Sequence, residues 1–238
     1  MRNDRRRHAR PRPGRSAPKK ARQKRAPHKA AAKTSPPRTA PEEPRTLRLG
    51  LIPGTNPGRW IDTWKERMPH VELELVPMSF AEQREQLADV DLAFVRLPLR
   101  RTEDLHVIPL YDELPVVVAS ADSHLMAADE LSADDLAGEV LITPADDVLG
   151  PLGLATVAPR FPTITTTADA VATVATGVGI LVIPMSLARL HQRKDADHRI
   201  LRGGPTSTVA LAWPRDATTP DVETFVGVVR GRTANSSR

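Results

Sequence analysis

From Leu47 onward the chain alternates short apolar strands with amphipathic helices, and this alternation restricts the fold more than any other feature. Leu47 to Ile52 reads as a strand, and Pro53-Gly54-Thr55-Asn56-Pro57-Gly58 as a turn. Thr55 or Asn56 is placed to cap a helix with Pro57 at its first position. Trp60, Ile61, Trp64 and Met68 form the apolar stripe of that helix. Val71 to Val76 alternates as a second strand, a helix is expected over Phe80 to Ala88, and Asp91 to Val95 is a third strand. The order β-α-β-α-β predicts a parallel sheet with right-handed crossovers. In such sheets ligands lie beyond the carboxyl ends of the strands. That rule selects Thr55 and Asn56 after the first strand, and Arg96, Leu97 and Pro98 after the third. Arg96 either grips a ligand carboxylate in a fork or is a solvated surface arginine.

The second half is less regular. Leu105 to Leu110 and Pro115 to Ala119 read as strands, 129–137 as a short acidic helix capped by Ser132, and Val140 to Thr143 as a strand. Residues 148–161 are rich in Pro and Gly and predict little regular structure. The stretch Thr165 to Leu190 is the clearest unit. Val171, Val174, Ala175 and Val178 share one helical face, and Thr166 or Thr167 caps the start with Asp169 in the first turn. Gly177 and Gly179 end the helix, Ile180 to Ile183 forms a buried parallel strand, and Pro184 stops it. The polar start of this helix is either an anion site or an ordinary cap. A helix over Ser186 to His191, a charged loop 192–199, a strand over Val209 to Trp213 and a helix over Asp221 to Val229 complete the chain.

Charge divides the sequence sharply. Residues 1–46 hold 16 Lys and Arg against 3 Asp and Glu, a net +13, while residues 47–238 hold 18 against 26, a net −8. The first segment has no Phe, Trp or Tyr and contains eight prolines. It cannot bury enough apolar surface to offset its ordering entropy, so a disordered tail is expected. Arg5, Arg6, Arg7, Lys19, Lys20, Arg22, Lys24 and Arg25 either touch phosphates without reading bases or only keep the protein dissolved.

Several functions find no support. There are no cysteines, so disulfides and thiol chemistry are excluded. No apolar run approaches the roughly 20 residues of a membrane span. The basic start lacks the apolar core of a signal peptide, so a cytoplasmic protein is expected. No two of the histidines fall at metal-ligand spacing, and neither a G-x-S-x-G elbow nor a phosphate-binding G-x-x-x-x-G-K-[ST] loop occurs. The doublets Asp112-Glu113, Asp134-Asp135 and Asp146-Asp147 read as solvated surface charge. No catalytic residue, metal or cofactor is expected.

The Leu47-to-Gly54 strand and turn, the Asp91-Leu92-Ala93-Phe94-Val95 strand, Leu110 to Ser123, and Gly177 to Pro184 resemble, in order and spacing, the effector domain of LysR-type transcriptional regulators. The resemblance covers about residues 47–232. It implies an α/β fold of two periplasmic-binding-protein-like lobes, lobe I over about 47–118 and 208–232 and lobe II over about 119–207, with 233–238 a disordered end. It implies a small polar or anionic effector in a cleft lined by Thr55, Asn56, Arg96, Leu97, Ala119, Ser120, Thr143, Thr166 and Thr167. It also implies a homodimer through Trp60, Trp64, Met68, Val71 and Leu73, although packing on their own sheet is the alternative for at least one tryptophan. Family members carry an N-terminal winged helix-turn-helix; this chain carries the basic tail instead. DNA contact is therefore expected through the tail or a separate DNA-binding partner. The rival readings are a solute-binding protein of the same fold without regulatory role, and a nonspecific nucleic-acid-associated protein acting through its tail.

Overall fold

The structure, a computed structural model, describes residues 44–231. The basic residues assigned to phosphate contact, from Arg5 to Arg25, lie outside the described residues. The first strand starts slightly earlier than the sequence suggests: β1 runs Arg45–Leu51, and Arg45 pairs with Asp221 at 3.4 Å.

The alternation of the first half folds as expected. Strands β1, β2 (Val71–Pro77) and β3 (Leu92–Arg96) are parallel neighbours, with β1 between the other two. Helix α1 (Gly58–Arg67) connects β1 to β2. The second connection is shorter than the predicted helix, with α2 limited to Gln83–Gln86 before one 3-10 turn at Leu87–Asp89. β4 (Leu105–Glu113) and β9 (Ser207–Pro214) complete the sheet in the order β2-β1-β3-β9-β4. Trp64 of α1 and Val222 and Phe225 of α5 (Pro220–Val229) cover one face, packing on Leu47, Leu49 and Phe94. Leu87, Met78 and Val90 cover the other face.

A second sheet has the order β6-β8-β5-β7, from β5 (Pro115–Ser120), β6 (Glu130–Leu131), β7 (Leu181–Pro184) and β8 (Ala196–Leu201). Helices α3 (Thr167–Val174) and α4 (Met185–Leu190) pack Val171, Val174 and Leu187 on one face, while Leu125, Leu131 and Leu136 close the other. The chain therefore forms two sheet-centred lobes joined by two crossings, β4 to β5 through Leu114 and β8 to β9 through residues 202–206. Every residue of β5 pairs inside the second sheet. The first crossing thus lies at Leu114, ahead of the expected 118.

Several local expectations are corrected. Residues 129–137 do not form a helix. Ser132 gives both its N–H and its hydroxyl to Asp135 Oδ2, which closes a single turn over Asp134–Leu136. Val140 to Thr143 makes only the isolated bridges Val140–Val157 and Leu141–Ile180, because its partners are themselves single residues of loops. β7 runs antiparallel to its neighbour β5. Val178 leaves the buried face because the helix stops at Val174 and Gly177 turns back with φ +83. Half of the expected charged loop 192–199 is β8, whose Arg199 is held by Asp197 and by the Met126 and Ala128 carbonyls.

Candidate effector site

The centre of the molecule is a buried arginine. The last residue of β3, Arg96, is 1% exposed. Its Nη1 donates to Glu113 Oε2 and to Ser207 Oγ, both at 2.7 Å, and its Nη2 donates to Ser186 Oγ at 3.1 Å. Ser186 Oγ in turn donates to Glu113 Oε2 at 2.8 Å. Gln83 fixes the backbone, accepting from the Arg96 N–H at 2.9 Å and donating to its carbonyl at 3.0 Å. A guanidinium this deep must be paired, because desolvating an isolated charge costs several kcal/mol.

The topology brings these groups together. Glu113 ends β4 and Ser207 begins β9, so both stand where the chain crosses between lobes. Ser186, on α4, belongs to the second lobe and bonds both members of the pair. β4 carries a register shift between Pro109 and Tyr111. A bulge of this kind re-aims the side chains that follow it, here Tyr111, Asp112 and Glu113.

Over this network lies a cavity of about 720 Å³ where the lobes meet. Gly54, Thr55 and Asn56 contribute from the first lobe. Tyr111 to Leu114 contribute from the crossing, and Met185, Ser186, Arg189, Leu190 and Ile200 from the second lobe. Tyr111, Leu114 and Leu190 are exposed large apolar side chains, which gives the cavity an apolar rim. Arg189 has no ion pair among the described residues. Burial, and then the nearby Glu113 carboxylate, hold the Tyr111 phenol above its ordinary pKa, while Arg96 acts weakly the other way. Tyr111 therefore stays a protonated donor at neutral pH. A second inter-lobe cavity, about 920 Å³, lies between α2 with Pro98 to Arg101 on one side and Asp147 to Pro151 on the other. Several of its charges are engaged: Arg84 bonds both oxygens of Asp104, outside the lining, at 2.7 and 2.8 Å, and Arg101 pairs with Glu85.

The residues selected from the sequence separate in space. Thr55 and Asn56 line the junction cavity together. Thr55 donates to the Ile52 carbonyl at 2.8 Å, and Asn56 Oδ1 accepts from Gly58 N at 3.3 Å, so neither caps α1 in the expected way. Arg96 is neither ligand-facing nor solvated; Glu113 of its own chain takes the carboxylate role. Leu97 packs with the first lobe's second core. Ala119 is buried, and the Ser120 hydroxyl accepts from Asp122 N. Thr143 borders a separate cavity inside the second lobe. Thr166 caps α3 by accepting from Asp169 N at 3.1 Å, and Thr167 donates to Asp146 at 2.8 Å, so this helix start is the ordinary-cap alternative. Of the residues assigned to a dimer interface, Trp64 is fully buried beside Phe225, Val71 is buried, and Trp60 stacks on Phe94 at 5.2 Å. Met68 and Leu73 are half-buried. Sequence reasoning missed Glu113, Ser186, Tyr111 and Arg189. The Asp112-Glu113 doublet looked like surface charge because nothing local marks Glu113 as buried.

The LysR substrate binding domain model matches residues 40–234. The chain belongs to that family. It is 25% identical over 209 residues to the Hca operon transcriptional activator HcaR of Escherichia coli (strain K12), covering 82% of this chain and 70% of that protein. Its fold is that of the BenM effector binding domain solved with its effector benzoate (TM-score 0.65, 20% identity, 79% of this chain and 91% of that one). Reduced OxyR has the same fold (TM-score 0.64, 22% identity, 81% and 98%). The protein is thus a LysR-type effector-binding domain with the two-lobed periplasmic-binding-protein-like fold. Among the described residues, no helix is long and apolar enough to cross a membrane.

Proposed function

We propose that this domain senses a small polar or anionic metabolite in the junction cavity and reports its presence through the relative position of the two lobes. One observation carries the reading: the cavity is walled by both lobes and by the crossing between them, and two of its lining residues, Glu113 and Ser186 of the second lobe, both bond the buried Arg96 behind them. A ligand there touches the groups whose contacts change when the lobes move. It shifts the lobe equilibrium only by its difference in affinity for the two arrangements, about 1.4 kcal/mol for each tenfold. The BenM domain with benzoate supports a small organic effector in this fold, and HcaR supports an output in transcription.

The +13 charge of residues 1–46 favours nucleic-acid contact by the tail, with sequence preference supplied by a partner. A homodimer would use α1 and the free edge of β2, where Leu75 is exposed, with Trp64 excluded because its own lobe encloses it. Thermal-shift screening against organic acids, amino acids and sugars tests the sensor, with hits repeated on Arg189→Gln. A hit that the variant weakens supports the reading. Hits that ignore every substitution in the cavity oppose it. A salt titration on arbitrary duplex tests the tail: log K should fall linearly with log salt, at about 0.9 per phosphate neutralised.

A further inference from the structure

The junction cavity is lined by two side chains of opposite charge that form no ion pair among the described residues, Arg189 and Asp112. Arg189 stands at its edge with no hydrogen bond or ion pair among the described residues, although it lines the space. The same cavity is lined by the carboxylates of Asp112 and Glu113. Asp112 uses only Oδ1, which accepts from Thr208 at 2.6 Å. Glu113 receives both Arg96 and Ser186 on Oε2, so Oε1 has no partner among the described residues. The Glu113 side chain is only 9% exposed, and no fully enclosed side-chain oxygen or nitrogen in the described residues lacks a partner. Oε1 therefore reaches the open space of this cavity. Oε1 is thus free to accept from a donor that a ligand brings into this space.

The charge balance narrows the class. Arg96 cancels Glu113, which leaves Asp112 and Arg189 as the net charges of the lining. A plain carboxylate would satisfy Arg189 and leave Asp112 unmatched; a plain amine would do the reverse. A zwitterion satisfies both. Leu114, Leu190, Met185 and Ile200 then meet an apolar group rather than a sugar or phosphate.

We propose that the junction cavity takes a small zwitterion, an α-amino acid with an apolar side chain, its carboxylate on Arg189 and its ammonium on Asp112 and Glu113 Oε1. This rests on the effector reading above and names the ligand class of the same site. The Asn56 amide and the Tyr111 hydroxyl line the same space and offer it further donors.

The test is calorimetric titration of the full chain with L-leucine and L-phenylalanine, beside two leucine isosteres that each lack one charge: 4-methylpentanoate and 3-methylbutylamine. Benzoate serves as the outside carboxylate. The amino acids should bind, and each isostere should lose about tenfold to a hundredfold, as expected for one charge-assisted hydrogen-bonded contact. Arg189→Gln should narrow the gap between leucine and the amine, and Asp112→Asn the gap between leucine and 4-methylpentanoate. Far-ultraviolet circular dichroism of each variant checks that it has folded. If 4-methylpentanoate or benzoate binds as well as leucine, the zwitterion is overturned while the effector site stands. If the amino acids, the carboxylates and the amine all fail at millimolar concentration, the zwitterion is overturned, and the thermal-shift screen above, with its sugars and other organic acids, decides the effector reading separately.

Discussion

Gly54 of the first lobe and Ser186 of the second approach so closely that a Cβ on Gly54 would lie 2.6 Å from the Ser186 hydroxyl oxygen and 3.3 Å from Arg96 Nη2. Gly54 also holds φ +84, a conformation that L side chains resist. The lobes are thus keyed together at one backbone position above the buried ion pair. Gly54→Ala should cost about 1–3 kcal/mol in urea unfolding, from strain plus overpacking. Part of that loss should return in Gly54→Ala/Ser186→Ala, making the pair non-additive, as contacting sites are.

The Arg96–Glu113 pair is enclosed, so removing one partner leaves the other charged and desolvated. Arg96→Met should destabilise by about 3–5 kcal/mol, and Arg96→Met/Glu113→Leu should recover much of it. Equilibrium denaturation of the three proteins checks this.

Trp64 separates core from interface. It is fully buried and packs on Phe225, so Trp64→Ala should cost about 3–5 kcal/mol at any protein concentration. A loss that shrinks as the concentration rises would place Trp64 in a subunit contact instead.

Tyr111 is the one tyrosine of the chain, so ultraviolet titration of tyrosinate reads this site alone. Its phenol is held above the ordinary value of about 10 by burial and then by Glu113. Because the folded value is the higher one, the stabilisation is complete below the unfolded value and is lost as pH rises from there through the folded value. Tyr111→Phe should remove that contribution to the alkaline slope, and the tyrosinate midpoint of the folded protein should lie above that of the urea-unfolded chain.

The sequence made the first lobe legible because Leu47 to Val95 shows its strand and helix periods openly, and the parallel order followed. The α3 start was equally readable, since Thr166 and Asp169 cap locally. Glu130 to Thr143 was not, because its backbone is satisfied by Arg202, Ala155, Val157 and Ile180, all distant in sequence. The site failed for the same reason. Arg96, Glu113, Ser186 and Ser207 converge only after two crossings, and the shift at Pro109 to Tyr111 sets which side chains face the cavity. That Thr55 and Asn56 line the cavity was legible because they follow a strand end, where position is local.

The most direct test of the sensor account is the methyl spectrum of the protein labelled at methionine, recorded with and without a saturating ligand such as L-leucine. Met185 lines the junction cavity, Met68 and Met78 sit in the first lobe's two core layers, and Met126 in the second lobe's core. A ligand bound where the lobes meet should move the Met185 signal most, assigned by Met185→Leu, and the others little. Binding that leaves Met185 unmoved while Met78 or Met126 shifts would put the ligand elsewhere and contradict the account.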